Sequence, residues 1–224
     1  TLALSIPKEK SFVAETLSSS RSALHGVAAA GRYGVTESIA GVRACLIDPV
    51  SLALVMPTPG QAASCLQRLA ASYGAAMTHI AHAGTRQSAQ SPNLHLRWSG
   101  PQAFLACMAG SVDIEAELSA VCGSTASVVD QSDGKFMLRL SGPAVRKTLA
   151  KGVTLDLHPK GFQAGETALT LLGHLNVQLT RVDAASDLEP TFEMVAARSS
   201  AGDLWAWLEA SAGEFGLEFT QGPF

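Results

Sequence analysis

Charge is scarce in this chain. Lys, Arg, Asp and Glu make up 16% of 224 residues, 16 basic against 19 acidic, for a net charge of −3. The sequence holds no cluster of Lys and Arg of the kind that phosphate neutralisation needs, which argues against a nucleic-acid role. No apolar run approaches the roughly 18 residues of a membrane span, and the opening TLALSIPKEK turns charged too soon for a secretory core. A cytoplasmic protein without a membrane partner is expected. Cysteine is equally sparse. Cys45, Cys65, Cys107 and Cys122 form no C-x-x-C pair and sit beside small apolar residues, as buried reduced thiols do, rather than disulfides or a zinc site.

Signatures of catalysis are missing too. There is no G-x-G-x-x-G after a strand, no G-x-x-x-x-G-K-[ST] and no G-x-S-x-G elbow, so nucleotide cradling and serine hydrolysis lack support. His79 and His82 are three apart, but no nearby Cys, Asp or Glu completes a metal set. The expected numbers of catalytic, cofactor-binding and metal-binding residues in this chain are all none.

What is present is apolar: 47% of the residues are hydrophobic, enough for a sizeable core in one large or two small domains. So little charge on so apolar a chain points to a surface completed by a partner. Residues 1–41 read as an irregular arm interrupted by Gly26, Gly31 and Gly34. A strand Leu52 to Met56, a helix Gln61 to Tyr73 stopped by Gly74, a polar loop Thr85 to Asn93, strands Leu94 to Trp98 and Ala103 to Met108, a helix Val112 to Cys122 and a strand Ala126 to Gln131 follow. That order, β-α-β-β-α-β, is the split unit of ferredoxin-like folds. Past a junction at Ser132-Asp133-Gly134 a similar order recurs with an extra strand. It comprises strand Phe136 to Leu140, helix Ala144 to Lys151, strands within Thr167 to Leu172, Leu175 to Val182 and Thr191 to Ala197, and a last helix Gly202 to Phe215. The expected fold is α+β, with two stacked ferredoxin-like lobes (42–133 and 134–224), each an antiparallel sheet with helices on one face.

Two details of the second half carry most information. Leu96-Arg97-Trp98-Ser99-Gly100-Pro101 and Leu138-Arg139-Leu140-Ser141-Gly142-Pro143 repeat six letters in different contexts, a hairpin and a strand-to-helix turn. Asp156 and His158 stand two apart in a loop. They read either as an orienter and a base, or, as the favoured reading, as a carboxylate capping local backbone N–H groups and an imidazole fixed before Pro159 by a structural hydrogen bond. In the last helix Leu204, Trp207, Leu208 and Phe215 form the core-facing stripe, and Trp205 at its edge either widens that contact or anchors a neighbouring subunit.

The segment LRLSGPAVRKTLAKGVTLDLHPKGF, Leu138 to Phe162, and the stretch RSSAGDLWAWLE, Arg198 to Glu209, with Glu214-Phe215-Gly216 behind it, resemble the gamma subunit of bacterial heterotetrameric sarcosine oxidase. The resemblance spans Thr125 to Gly216. It implies a fold similar to the folate-binding fold of aminomethyltransferases, whose catalytic group is a strand aspartate. The strand here, Gly173 to Leu179, offers Asn176 or Val177 at that place, and an amide cannot take the proton. The resemblance therefore implies a non-catalytic structural subunit of an oxidoreductase. Such a complex oxidatively demethylates sarcosine to glycine, passing the one-carbon unit to tetrahydrofolate and forming hydrogen peroxide. FAD, FMN, NAD, zinc and tetrahydrofolate would belong to the alpha, beta and delta partner subunits. Trp205, Asp156, His158 and Arg198 are the expected contacts with those partners. A gamma-like subunit of an N-methyl amino acid dehydrogenase and a free-standing folate-binding one-carbon protein are the alternatives.

Overall fold

The computed structural model describes residues 22–74, 88–90, 92–182 and 189–222. Its elements begin with strands β1 (Gly31–Tyr33), β2 (Val42–Ile47) and β3 (Val50–Pro57), helix α1 (Ala62–Tyr73), and strands β4 (Ser88–Gln90), β5 (His95–Trp98) and β6 (Phe104–Ala109). Helix α2 (Ile114–Cys122), strands β7 (Ala126–Asp130) and β8 (Lys135–Ser141), and helix α3 (Val145–Leu149) come next. Strands β9 (Thr167–Leu172), β10 (Leu175–Val182) and β11 (Thr191–Ala197), helix α4 (Ala201–Ala212) and strand β12 (Leu217–Gly222) complete the order.

Strand β3 is apolar on both faces, and its alternation sends Ala53 and Val55 into one core and Leu52 into another. A strand of that pattern must be covered twice. On one side α1 and α2 supply Cys65, Leu66, Leu69, Ile114, Leu118 and Cys122. On the other a second sheet supplies Ile47, Met137 and Val195, which meet Leu52, Leu105 and Cys107. The larger core lies beyond that second sheet, where Leu138, Leu140, Val177, Leu179, Phe192 and Met194 pack beneath α3 and α4. The layers run helices, sheet, sheet, helices.

The smaller sheet has the order β4-β5-β6-β3-β7. Leaving aside β4 at its edge, the first strand of the unit lies between the third and the fourth, the ferredoxin-like arrangement expected. The larger sheet, β1-β12-β2-β8-β11-β10-β9, repeats that logic with an insertion. Its fourth strand, β12, is held away from β8 by β2, which runs parallel to β12 and antiparallel to β8. Strand β9 is the extra edge strand. The expected division at residues 42 and 134 therefore differs from the strand pairing in one respect. β2 opens the expected first lobe in sequence but belongs to the second sheet, because its two neighbours, β12 and β8, both lie there. The arm contributes as well, through the antiparallel pairing of β1 with β12.

Local signals explain most boundaries. Asp113 caps α2, its carboxylate accepting from the Ala116 N–H at 3.0 Å. Gly74 ends α1, its N–H donating to the Ala70 carbonyl. The turn between β8 and α3 depends on Gly142, at φ +118°, where a Cβ would lie 2.5 Å from the Gly41 carbonyl oxygen. The polar loop expected from Thr85 to Asn93 contains β4 instead, which lies antiparallel to β5.

Candidate functional site

The Asp156–His158 loop is a backbone device. The Asp156 carboxylate accepts from the His158 N–H at 2.9 Å, and the His158 ring nitrogen Nδ1 accepts from the Lys160 N–H at 3.2 Å. The His158 carbonyl in turn accepts from Gly161 and Phe162. Each polar group is used locally, the pattern of an Asx turn. Gly161 has to be glycine, because a Cβ there would stand 2.6 Å from Asp156 Oδ2. Phe162 anchors the loop: it is buried, stacks parallel to Phe192 with centroids 6.4 Å apart, and its carbonyl accepts from Arg181 at 2.9 Å. Both Asp156 and His158 remain exposed.

Of the two readings of Trp205, the internal contact is the one found, and Trp207, partly buried, packs against the same core as expected. Trp205 is 4% exposed, wedged edge-on against Tyr33 at 5.1 Å and tilted against Phe219 at 4.8 Å. Because β1 and β12 extend the core under it, Trp205 is an internal contact in this chain and offers no surface to a partner. Trp207 is the half-exposed one, its ring lying over Gly152 so closely that a Cβ there would meet it at 2.6 Å. Ser200 precedes α4 without a side-chain cap, since a 3-10 turn, Arg198–Ser200, leads into the helix. Arg198 is partly exposed, donates its N–H to the Gly134 carbonyl at 2.9 Å, and lines a cleft of about 240 Å³ with Asp48, Asp130 and Asp133.

The most unusual chemistry lies between the sheets. Glu193 on β11 is fully buried and faces two guanidinium groups. Arg97 on β5, itself fully buried, pairs with Oε2 across the inter-sheet space, and Arg139 on β8 donates to Oε1 through Nε at 2.9 Å and Nη2 at 2.6 Å. The arginines hold the Glu193 carboxyl below its usual range against the opposing effect of burial. Alongside, burial and then the Arg97 charge push His95 down to about 4, so its imidazole is neutral at pH 7. A second polar tie between the sheets runs from Gln178 Nε2 to the Trp98 carbonyl at 2.7 Å. Both arginines are the second letters of the repeated Leu-Arg-x-Ser-Gly-Pro, a pattern that does not reveal their shared partner. The available signal was a lone carboxylate inside the apolar strand Thr191–Ala197.

Two clefts complete the surface. One, of about 330 Å³, lies between the Pro57–Gly60 turn and the β5–β6 turn, lined by Leu66, Trp98, Pro101 and Phe104. The other, of about 570 Å³, opens on the sheet face near Ser99, Leu169, Leu171, Asn176 and Gln178. Asn176 lies there on β10, exposed. Among the described residues no group of three or more His, Cys, Asp or Glu side chains is placed to hold a metal ion, and no helix is long and apolar enough to cross a membrane. His79 and His82 lie outside the described residues.

The profile of the sarcosine oxidase, gamma subunit family matches residues 53–214. The chain belongs to that family. Within it, the chain is 38% identical over 85 residues to sarcosine oxidase subunit gamma of Corynebacterium sp. (strain P-1), and 36% identical over 85 residues to that of Arthrobacter sp.. Each match spans 38% of this chain and 42% of the relative. Among solved structures, a chain of the heterotetrameric sarcosine oxidase from Corynebacterium sp. U-96, in complex with pyrrole 2-carboxylate, shares this fold at a TM-score of 0.69 and 23% identity. That superposition covers 87% of this chain and 95% of the other. The glycine cleavage system aminomethyltransferase T from Bartonella henselae superimposes at 0.56 and 18% identity, over 81% of this chain and 48% of the enzyme. The same layered α+β fold therefore serves in both, and the fold alone assigns no chemistry.

Proposed function

We propose that this chain is a non-catalytic structural subunit of a heterotetrameric sarcosine oxidase. The observation that carries the reading is the gamma-subunit family match over residues 53–214, joined by a fold that covers nearly the whole of a chain from such an enzyme. The reaction is the oxidative demethylation of sarcosine to glycine, with tetrahydrofolate taking the one-carbon unit and hydrogen peroxide as co-product. FAD, FMN, NAD, zinc and tetrahydrofolate are held by the alpha, beta and delta partners. The internal chemistry of this chain favours that division. Glu193, the buried carboxylate among the described residues, is charge-paired with Arg97 and Arg139 and fully buried, which favours a structural over a basic role. Asp156 and His158 are committed to their own backbone.

The partners cover the surface that so lean a charge content leaves apolar. Leu169 and Leu171 on edge strand β9 are 52% and 40% exposed, and Ile39 of the arm is 89% exposed. Asp156, His158 and Arg198 remain the polar contacts assigned to the interface. The test is expression of the chain alone and together with its neighbouring genes, followed by size exclusion with flavin absorbance. Co-elution with a yellow complex that consumes oxygen with sarcosine is the expected result. A stable monomer that joins nothing and binds a reduced folate would overturn it.

A further inference from the structure

We propose that Cys65 and Cys122 form an oxidisable dithiol, a modification site at which a peroxide links two buried thiols into a disulfide that ties α1 to α2. Their sulfurs stand 3.8 Å apart across the contact between the two helices, already in hydrogen-bond relation, and both side chains are fully buried. A disulfide requires about 2.05 Å between sulfurs, so a closure of roughly 1.8 Å, supplied by rotation of the two side chains, makes the bond.

The two thiols are unequal in a way that suits such a reaction. The Cys65 thiol is lowered from its ordinary range by the hydrogen bond it shares with Cys122, opposed by burial and helped by Thr125 and the Arg68 charge. The Cys122 thiol is raised, first by that same hydrogen bond and then by burial. Within the proposal the attack is assigned to Cys65 and the resolving role to Cys122, an order that the sulfenic-acid trap below tests separately from the disulfide itself. The Cys65 thiolate attacks one peroxide oxygen, breaking the O–O bond to give a sulfenic acid and hydroxide. Sulfur of Cys122 then displaces the sulfenic oxygen, which leaves as water with the Cys122 proton. In sum two thiols and one hydrogen peroxide give one disulfide and two waters, two electrons passing from sulfur to oxygen.

Access is provided at one end of the pair. Cys122 is the last residue of α2 and is followed directly by the exposed Gly123 and Ser124. Opening of that one turn admits a small neutral oxidant, and the rate follows the opening equilibrium. The other two cysteines provide the contrast. Cys107 is fully buried, its thiol pushed up to about 11 by burial, and Cys45 is partly exposed with its sulfur against the Leu46 carbonyl at 3.7 Å.

The experiment treats the co-purified complex with an excess of hydrogen peroxide, quenches it, alkylates residual thiols under denaturing conditions and maps the peptides without reduction. Because the oxidant is added, the outcome does not depend on whether the assembly itself releases peroxide, and a chain that joins no complex is treated in the same way by itself. The expected result is a Cys65–Cys122 linked peptide pair, lighter by two hydrogens and released by reductant, with Cys107 still alkylated. In a Cys122→Ser variant a sulfenic-acid trap should label Cys65. Full alkylation of Cys65 and Cys122 in samples where Cys45 has been oxidised would overturn the proposal. So would trapping at Cys122 in a Cys65→Ser variant at a rate equal to that of Cys65. The wild-type map decides alone if either variant fails to fold.

Discussion

At the scale of single residues, the buried ion cluster makes the firmest predictions. Replacing Glu193 by Gln strands two guanidinium groups, one of them fully buried, and should cost about 3–5 kcal/mol in a denaturant titration. Replacing Arg97, Arg139 and Glu193 together by apolar residues of similar volume should cost much less, since the desolvation penalty disappears with the charges. The cluster thus fixes how the sheets face each other more than how tightly they hold. His95 gives a pH prediction. Its folded value, about 4, lies below the roughly 6.5 of an unfolded histidine, so between those values the unfolded chain binds a proton that the folded chain does not. Stability should therefore fall as pH drops from 6.5 to 4, and His95→Gln should flatten that part of a stability-against-pH curve. Glu193, whose folded value is lowered, adds a further loss at more acidic pH as it protonates. Legibility was mixed at this scale. The Asp156–His158 turn followed from residue chemistry within a few positions. The Arg97–Glu193 pair, 96 residues apart, did not, because nothing local encodes which strand will face which.

At the scale of elements, the strands and helices read from hydrophobic period and turn residues match the structure closely from β3 to α4. Those that escaped are β1, β2, β4 and β12; β1, β2 and β12 are each paired by a partner far away in sequence, and β12 joins β2 in parallel register from Leu217 opposite Val42. Parallel pairing leaves no hairpin signal. The choice between the two readings of Trp205 was open for the same reason: the residues that bury it, Tyr33 and Phe219, lie on unforeseen strands. The turn into α3 makes a prediction at this level. Gly142→Ala combines a positive φ with a Cβ pressed against the Gly41 carbonyl, and should destabilise by about 1–3 kcal/mol, measured as a lowered thermal midpoint. Because the Ala144 N–H donates to that same carbonyl at 2.9 Å, the loss should also loosen the entry to β2, seen as faster amide exchange at Val42.

At the scale of the whole molecule, the two sheets stacked between helix pairs form a frame whose buried carboxylate and inter-sheet amide are bonded within the chain. Two arginines answer the buried carboxylate, an amide bridges the sheets, and the loop that most resembles a catalytic pair closes its own hydrogen bonds. On the proposed reading, a chain so arranged contributes surface to an assembly rather than reacting atoms. The fold class was legible because two β-α-β-β-α-β orders are visible along the sequence; the inserted strand β2, which merges the arm side of the chain into the second sheet, was not. The most direct test of the non-catalytic role is the turnover number per flavin of the purified complex carrying Asp156→Asn and His158→Gln in this chain, compared with the unaltered complex at equal subunit stoichiometry. Turnover within twofold of the unaltered complex is the predicted result. A loss of a hundredfold or more in a fully assembled, fully flavinylated complex would place reacting groups in this chain and contradict it.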